Sequence, residues 1–379
     1  MIARIAGAAG LAAAVVSAAP AALAETAPRL LWQAAMPGAL PLAVQADLRG
    51  RPYLYVAQKS GGVAVLARAG GAPVATVPRA ALGGLDAMHL AQSGDTLLVA
   101  LGDHFAAGGA RAGLAVVSLA DPRAPAVRAL WVAPTAGRGA SAVVSDGRHA
   151  YLAAMREGVV VFDLAAPGAL RPLAAFRPDP GFPRANPGGL QVPAARGLAL
   201  AGRLLFVAYD AGGLRVLDVA SPARPAEIGR YANARLGAKP QAFNAVALDG
   251  RIAYVAVDYC GVEALDIADP RQPRPLGWWN PWRCETPANT WFNSAGHANH
   301  LAADPARKRL YVSAGDTELA VLEVADPASP RLVASVGRAR DGYGSWGLGL
   351  DAGAVYVSYI RAPLPFRGTW SGVRAFARE

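Results

Sequence analysis

Lysine is nearly missing from this chain. It occurs only at Lys59, Lys239 and Lys308, so the formal charge of +10 is carried almost wholly by arginine. Charged residues make up only 17% of the chain, and no basic run is interleaved with aromatics able to stack on bases. That excludes the usual footprint of a nucleic-acid-binding protein. Cysteine is equally scarce, with Cys260 and Cys284 in no CxxC arrangement, which argues against a cysteine-rich metal site. Also missing are a G-x-S-x-G elbow, a phosphate-cradling glycine loop and an acid–base pair at a telling spacing. Beyond the N-terminus no run approaches the roughly 18 consecutive apolar residues of a membrane span.

What is present begins with the first 24 residues, one arginine followed by an alanine-rich apolar run ending in small residues at Ala22 and Ala24. This pattern predicts a signal peptide cleaved after Ala24 and a periplasmic or secreted product, by the general route because Arg4 has no second arginine beside it. Residues 25–379 are then expected to form one domain.

That domain is repetitive. The unit "GRLLFVAYDAGGLRVLDVASPARPAEIGRY" (202–231) recurs at 250–279, 147–176 and 308–337, with weaker copies at 51–77 and 95–131 and a shortened one at 353–379. Short β-branched and aromatic runs separated by Gly, Pro, Asp and Ser read as antiparallel strands. An apolar strand before each unit, such as "AFNAVAL" (242–248), completes a four-stranded meander. One meander cannot bury both its faces, so about seven copies stacked radially predict an all-β, seven-bladed β-propeller. The last copy stops after its third strand, whereas "PRLLWQAAM" (28–36) matches the fourth strands of other units. The N-terminal strand is therefore expected to complete the last blade and remove the exposed edges.

The third strands, "VVVFD" (159–163), "LRVLD" (214–218), "VEALD" (262–266) and "LAVLE" (319–323), followed by "ASPARP" or "ADPRQP", resemble the LVIVD repeat of bacterial exported propellers. The resemblance implies the same architecture and is nearly silent on chemistry. The first and last units, with "VAVLA" and "VRAFA", lack the acidic residue.

In such a ring the connections between blades and the loops between second and third strands emerge together at one end of the central channel. The long loops fall there: 102–113, 177–193, 232–241, 280–299 and 360–372. Long loops gathered on one face of a rigid scaffold are where binding or catalysis usually sits. Both cysteines lie on that face, and in an exported protein a Cys260 to Cys284 disulfide is expected, with a thiolate ligand or nucleophile as the alternative.

Arg156, Arg196 and Arg361 on this face favour an anionic ligand. Asp103, Asp210, Asp258 and Asp316, at nearly equivalent loop positions, either form a ring for a cation or bond neighbouring backbone amides. Asn244, Asn293 and Asn299 add polar contacts. Trp291 and Trp346, with Trp282 and Trp370, either wall a site or cap the core. The stretch "WFNSAGHANH" (291–300) supplies His297 and His300, and blade alignment adds His89 and His104. These four imidazoles are either ligands to copper, zinc or iron at the channel mouth or ordinary channel residues bonded to backbone.

Two readings follow. The favoured one is a non-catalytic binding or scaffold module whose long-loop face takes a protein, glycan or small-molecule partner, with no cofactor. The alternative is a metal-dependent periplasmic oxidase or hydrolase built on the histidines.

Overall fold

A computed structural model describes residues 27–378 except 107, 166, 167, 169, 184–191, 238, 240, 363 and 364. The expected signal peptide, 1–24, lies outside the described residues. The described chain folds into seven four-stranded antiparallel sheets, six of them simple meanders in chain order. These blades span 43–77, 87–132, 142–176, 197–231, 245–279 and 300–336. The seventh, 345–377, holds three strands of its own and takes its fourth from the N-terminus.

The burial pattern explains why the blades stack. Second and third strands such as 252–256 and 262–266 are buried along almost their whole length, on both faces, while fourth strands are largely exposed. Side chains alternate between faces along a strand, so each blade offers apolar groups to both neighbours. Among the described residues seven apolar clusters each join two adjacent blades, and an eighth gathers Leu42, Met88, Ile360 and Phe366 near the mouth. One packs Tyr55 and Val65 of the first blade on Leu97 and Val99 of the second. Another packs Val44 and Val56 of the first blade on Tyr356 and Val373 of the seventh, closing the circle. Inner strands crowd at the axis: a Cβ on Gly197 would meet the Asn244 carbonyl oxygen at 2.5 Å, so glycine is required there.

Strand β1 (Leu30–Ala35) pairs antiparallel with β28 (Gly372–Ala377), from Leu30 opposite Phe376 to Ala35 opposite Gly372. Met36 adds a backbone bond to the Ser371 carbonyl at 2.9 Å, and the Trp32 ring lies 6.0 Å from that of Tyr356. The repeat's acidic residues are structural. Asp163, Asp218 and Asp266 each accept the backbone N–H two residues on, at 2.8 to 2.9 Å, and so set the turn into the fourth strand.

Removing residues 25–36 leaves β28 an unpaired edge and takes Trp32 from the last interblade cluster. It is expected to lower the melting temperature by at least about 10 °C. A thermal scan by circular dichroism checks this, and an unchanged midpoint would deny β1 its closing role.

Candidate functional site

The short turns between second and third strands share a backbone device that aims side chains at the channel mouth. Lys59, Met155, Asp210 and Asp258 occupy the left-handed region at φ 55°, 52°, 48° and 45°. Each bridges to the chain entering the next blade, at Ala87, Ala195, Phe243 and Ala298 respectively. Aspartate tolerates this conformation better than most residues, which accounts for Asp210 and Asp258. These bridges knit neighbouring blades together around the opening.

A cavity of about 870 Å³ fills the mouth. Arg156, Arg196, Asp210, Asn244 and Asp258 line it, as do Trp291, Asn299, Trp346 and Arg361. Asn293 does not: its side chain accepts from Thr290 N–H at 2.7 Å and donates to the Ala288 carbonyl at 2.9 Å, bracing its own loop. The four aspartates do not form a ring around one opening. Asp103 is paired with Lys59 at 2.9 Å, and Asp316 is buried with an Oδ1 that lacks a partner among the described residues. The tryptophans divide likewise. Trp282 packs on Trp279 and Gly296, and Trp370 packs on Tyr343 and Tyr359, so both serve the core.

Phe105, Arg138, Tyr259, Phe292 and Phe366 also line the cavity, and the sequence did not single them out. Phe105 and Phe366 sit in the two enlarged loops at 102–113 and 360–372, so loop length was the available signal. Trp346 meets the rings of Phe105 and Phe366 edge-on at 5.2 and 5.8 Å. His297 continues this wall, with centroids 5.3 Å from Phe366 and 5.6 Å from Trp291.

The four candidate metal ligands do not converge. His89 and His300 face each other inside the channel with centroids 6.0 Å apart, and Val143 N–H donates to His89 Nδ1 at 3.3 Å. His104 contacts the Ala140 carbonyl at 3.4 Å and stacks on Phe105. His297 is buried elsewhere, its Nδ1 donating to Asp258 Oδ1 at 2.5 Å while Asp258 Oδ2 accepts from Trp291 Nε1 at 3.0 Å. Burial drives His89 down to about 3, assisted by His300, and His300 itself to about 4. Neutral imidazoles suit transition metals. Yet among the described residues no group of three or more His, Cys, Asp or Glu side chains is placed to hold an ion. The donor set expected for copper, zinc or iron is thus not assembled.

A family model of the LVIVD repeat matches residues 194–233 and 308–337, blade four and the outer three strands of blade six. The chain carries LVIVD repeats. Solved structures similar to this LVIVD-repeat propeller share its fold at low identity. They include the WD40 repeats of RRP9, at TM-score 0.65 and 12% identity over 93% of this chain and 99% of that one. U3-55K gives 0.64 and 11% over 93% and 98%. The β-propeller domain of Cps50 (Swd1) from Myceliophteria thermophila gives 0.63 and 13% over 91% and 98%. No curated protein matches the chain in sequence.

Cys260 and Cys284 form the expected disulfide, with Cα atoms 5.0 Å apart and both residues fully buried. The thiolate and nucleophile alternatives fall with it. The bridge ties blade five to the connection 280–299 that carries Trp291 and Phe292 to the mouth. Lys239 adds a second tie, donating to the Thr286 and Asn289 carbonyls at 2.6 and 2.5 Å. Changing both cysteines to serine is expected to cost about 3 kcal/mol, from the entropy of a loop closed over 24 residues. Faster hydrogen exchange confined to 280–299 should accompany it, and uniform exchange across all blades would contradict a local tie.

Asp210 lies 3.8 Å from Arg196, yet burial outweighs that cation and raises its carboxyl from 3.8 to about 6. The folded state therefore favours the neutral acid. The stability it contributes is full below 3.8 and is lost as pH rises through about 6. Asp210→Asn, a neutral mimic, is expected to raise stability near pH 8 by no more than about 3 kcal/mol. The gain should vanish toward pH 4, and melting curves across that range check the sign.

Proposed function

We propose that this LVIVD-repeat propeller is an exported, non-catalytic binding module that holds a small molecule in the cavity at its channel mouth. The observation that carries the reading is the cavity itself. About 870 Å³ falls within the range of about 300–1,000 Å³ typical of small-molecule sites. Its polar groups come from turns locked to neighbouring blades, which is how a preformed site is built. Concavity favours a small ligand over the face of a protein partner. The buried disulfide suits an oxidising compartment, in line with the leader-like residues 1–24. Among the described residues no helix is long and apolar enough to cross a membrane.

Native mass spectrometry of the mature protein, exposed to the small-molecule fraction of the envelope of cells that produce it, tests the reading. One adduct per chain is expected. It should be lost in Ala362→Trp, which fills the cavity from a loop. No adduct, or an adduct indifferent to that substitution, would sink the proposal.

A further inference from the structure

The mouth is chemically divided along the order of the blades. Cationic side chains come from the first four blades and the connections that follow them: Lys59 from blade one, Arg138 from the connection before blade three, Arg156 from blade three, Arg196 opening blade four, and Lys239, already bonded to two carbonyls, from the connection after it. Aromatic side chains come from the last three: Tyr259 from blade five, Trp291 and Phe292 from the connection to blade six, and Trp346 and Phe366 from blade seven. Two residues cross the divide. Phe105 reaches from blade two to meet Trp346, and Arg361 of blade seven adds a cation.

The cations outnumber the acids left to neutralise them. Asp258 is occupied by His297 and Trp291, and Asp103 by Lys59. Among the described residues only Asp210 stands beside a guanidinium of the lining, at 3.8 Å from Arg196. Arg156 and Arg361 are exposed and make no hydrogen bond or ion pair among the described residues. The aromatic side is equally uncovered: Phe292 is 65% and Phe105 45% exposed, whereas most other exposed large apolar side chains lie on outer strands away from the mouth. Exposed aromatics beside unpaired guanidinium groups in one concavity are satisfied together by a ligand with an anionic end and a flat apolar body.

We propose that the cavity takes an amphiphilic anion. Its carboxylate or phosphate is held by Arg156, Arg196 and Arg361, and its aromatic body lies against Phe105, Trp346 and Phe292. This rests on the binding reading above and names the ligand class. Guanidinium groups pair bidentately with either anion, so the site recognises their shared geometry.

Matched naphthalene probes test the inference by titration calorimetry: naphthoate, naphthyl phosphate, the neutral naphthylmethanol, the cationic naphthylmethylamine, and acetate as an anion without a ring. At least one of the two naphthyl anions is expected to bind about tenfold or more tightly than naphthylmethanol. Whether naphthoate or naphthyl phosphate leads distinguishes a carboxylate from a phosphate ligand. Acetate and the amine should be weaker still. Arg156→Gln with Arg361→Gln, both on exposed side chains whose loss leaves the fold intact, should weaken the anion about tenfold and leave the alcohol unchanged. Trp346→Ala should weaken anion and alcohol alike. Added salt should weaken only the anions.

Equal binding of alcohol, amine and acid, or arginine variants that affect acid and alcohol equally, would overturn the proposal. If no naphthyl probe binds while the envelope adduct persists and is lost in Ala362→Trp, the ligand class is wrong and the binding reading stands. If both are absent, both fall.

Discussion

Radial packing of amphipathic blades is the constraint on which everything else rests. A four-stranded meander with apolar groups on both faces is stable only with a neighbour on each side, so the row of blades must close. Closure depends on β1 meeting β28, because the chain supplies the seventh blade with only three strands after residue 345. The contact thus joins residues more than 330 positions apart, as the bond from the Ser371 hydroxyl to the Met36 carbonyl illustrates. A ring so closed leaves as sheet edges only the short inner and outer strands of each blade, and its loops are held at fixed spacing around one axis.

Rigidity at the mouth follows from the same geometry. Where a turn in one blade bridges to the chain entering the next, its side chains are fixed relative to both blades. Inner residues extend this around the channel: Ser141 donates to the Ala195 and Arg196 carbonyls, Asn244 to that of Ala298, and Asn299 to that of Ser345. Each of these bonds runs from one blade to its successor. Asn244 and Asn299 therefore have a structural duty in addition to their place in the cavity lining.

The architecture was legible in the sequence because a repeated hydrophobic pattern specifies a repeated strand order, and every blade boundary follows from it. The lining of the mouth cavity was legible where loop length and blade alignment carried it, as for Arg196, Asp210, Asp258 and Trp346. It was illegible where contacts cross between distant blades. Nothing in "WFNSAGHANH" says that His297 turns away from His300 to meet Asp258, 39 residues earlier. Equally hidden was the second position of the third strand. It is small or apolar in blades one, two, three and six, but it is Arg215, Glu263 and Arg374 in blades four, five and seven. Sequence alone does not say what these charges meet.

In the fold they are buried or nearly so, and each secures a long loop or an interblade seam. Arg215 bonds Glu227 and the carbonyls of Gly212, Asp179 and Phe182, holding down the connection after blade three. Glu263 takes Tyr231 and Asn233, and Glu318 takes Arg374 and Tyr359. Buried ionic groups add little net stability over apolar packing, but they fix geometry, since a displaced partner leaves a charge unpaired. The two sides of the mouth are consequently held by different means. Arg156, Arg196 and Asp210 stand on or beside short turns locked by backbone bridges, so the cationic side moves only if a blade moves. Trp291 and Phe292 ride on a long connection held by the Cys260–Cys284 bridge, Lys239 and the Asp258–His297 contact. Loosening that connection would release Trp291 and Phe292, while Phe105 and Trp346 stay with blades two and seven. On the proposed reading, the disulfide therefore holds in place the part of the aromatic side that comes from the connection between blades five and six.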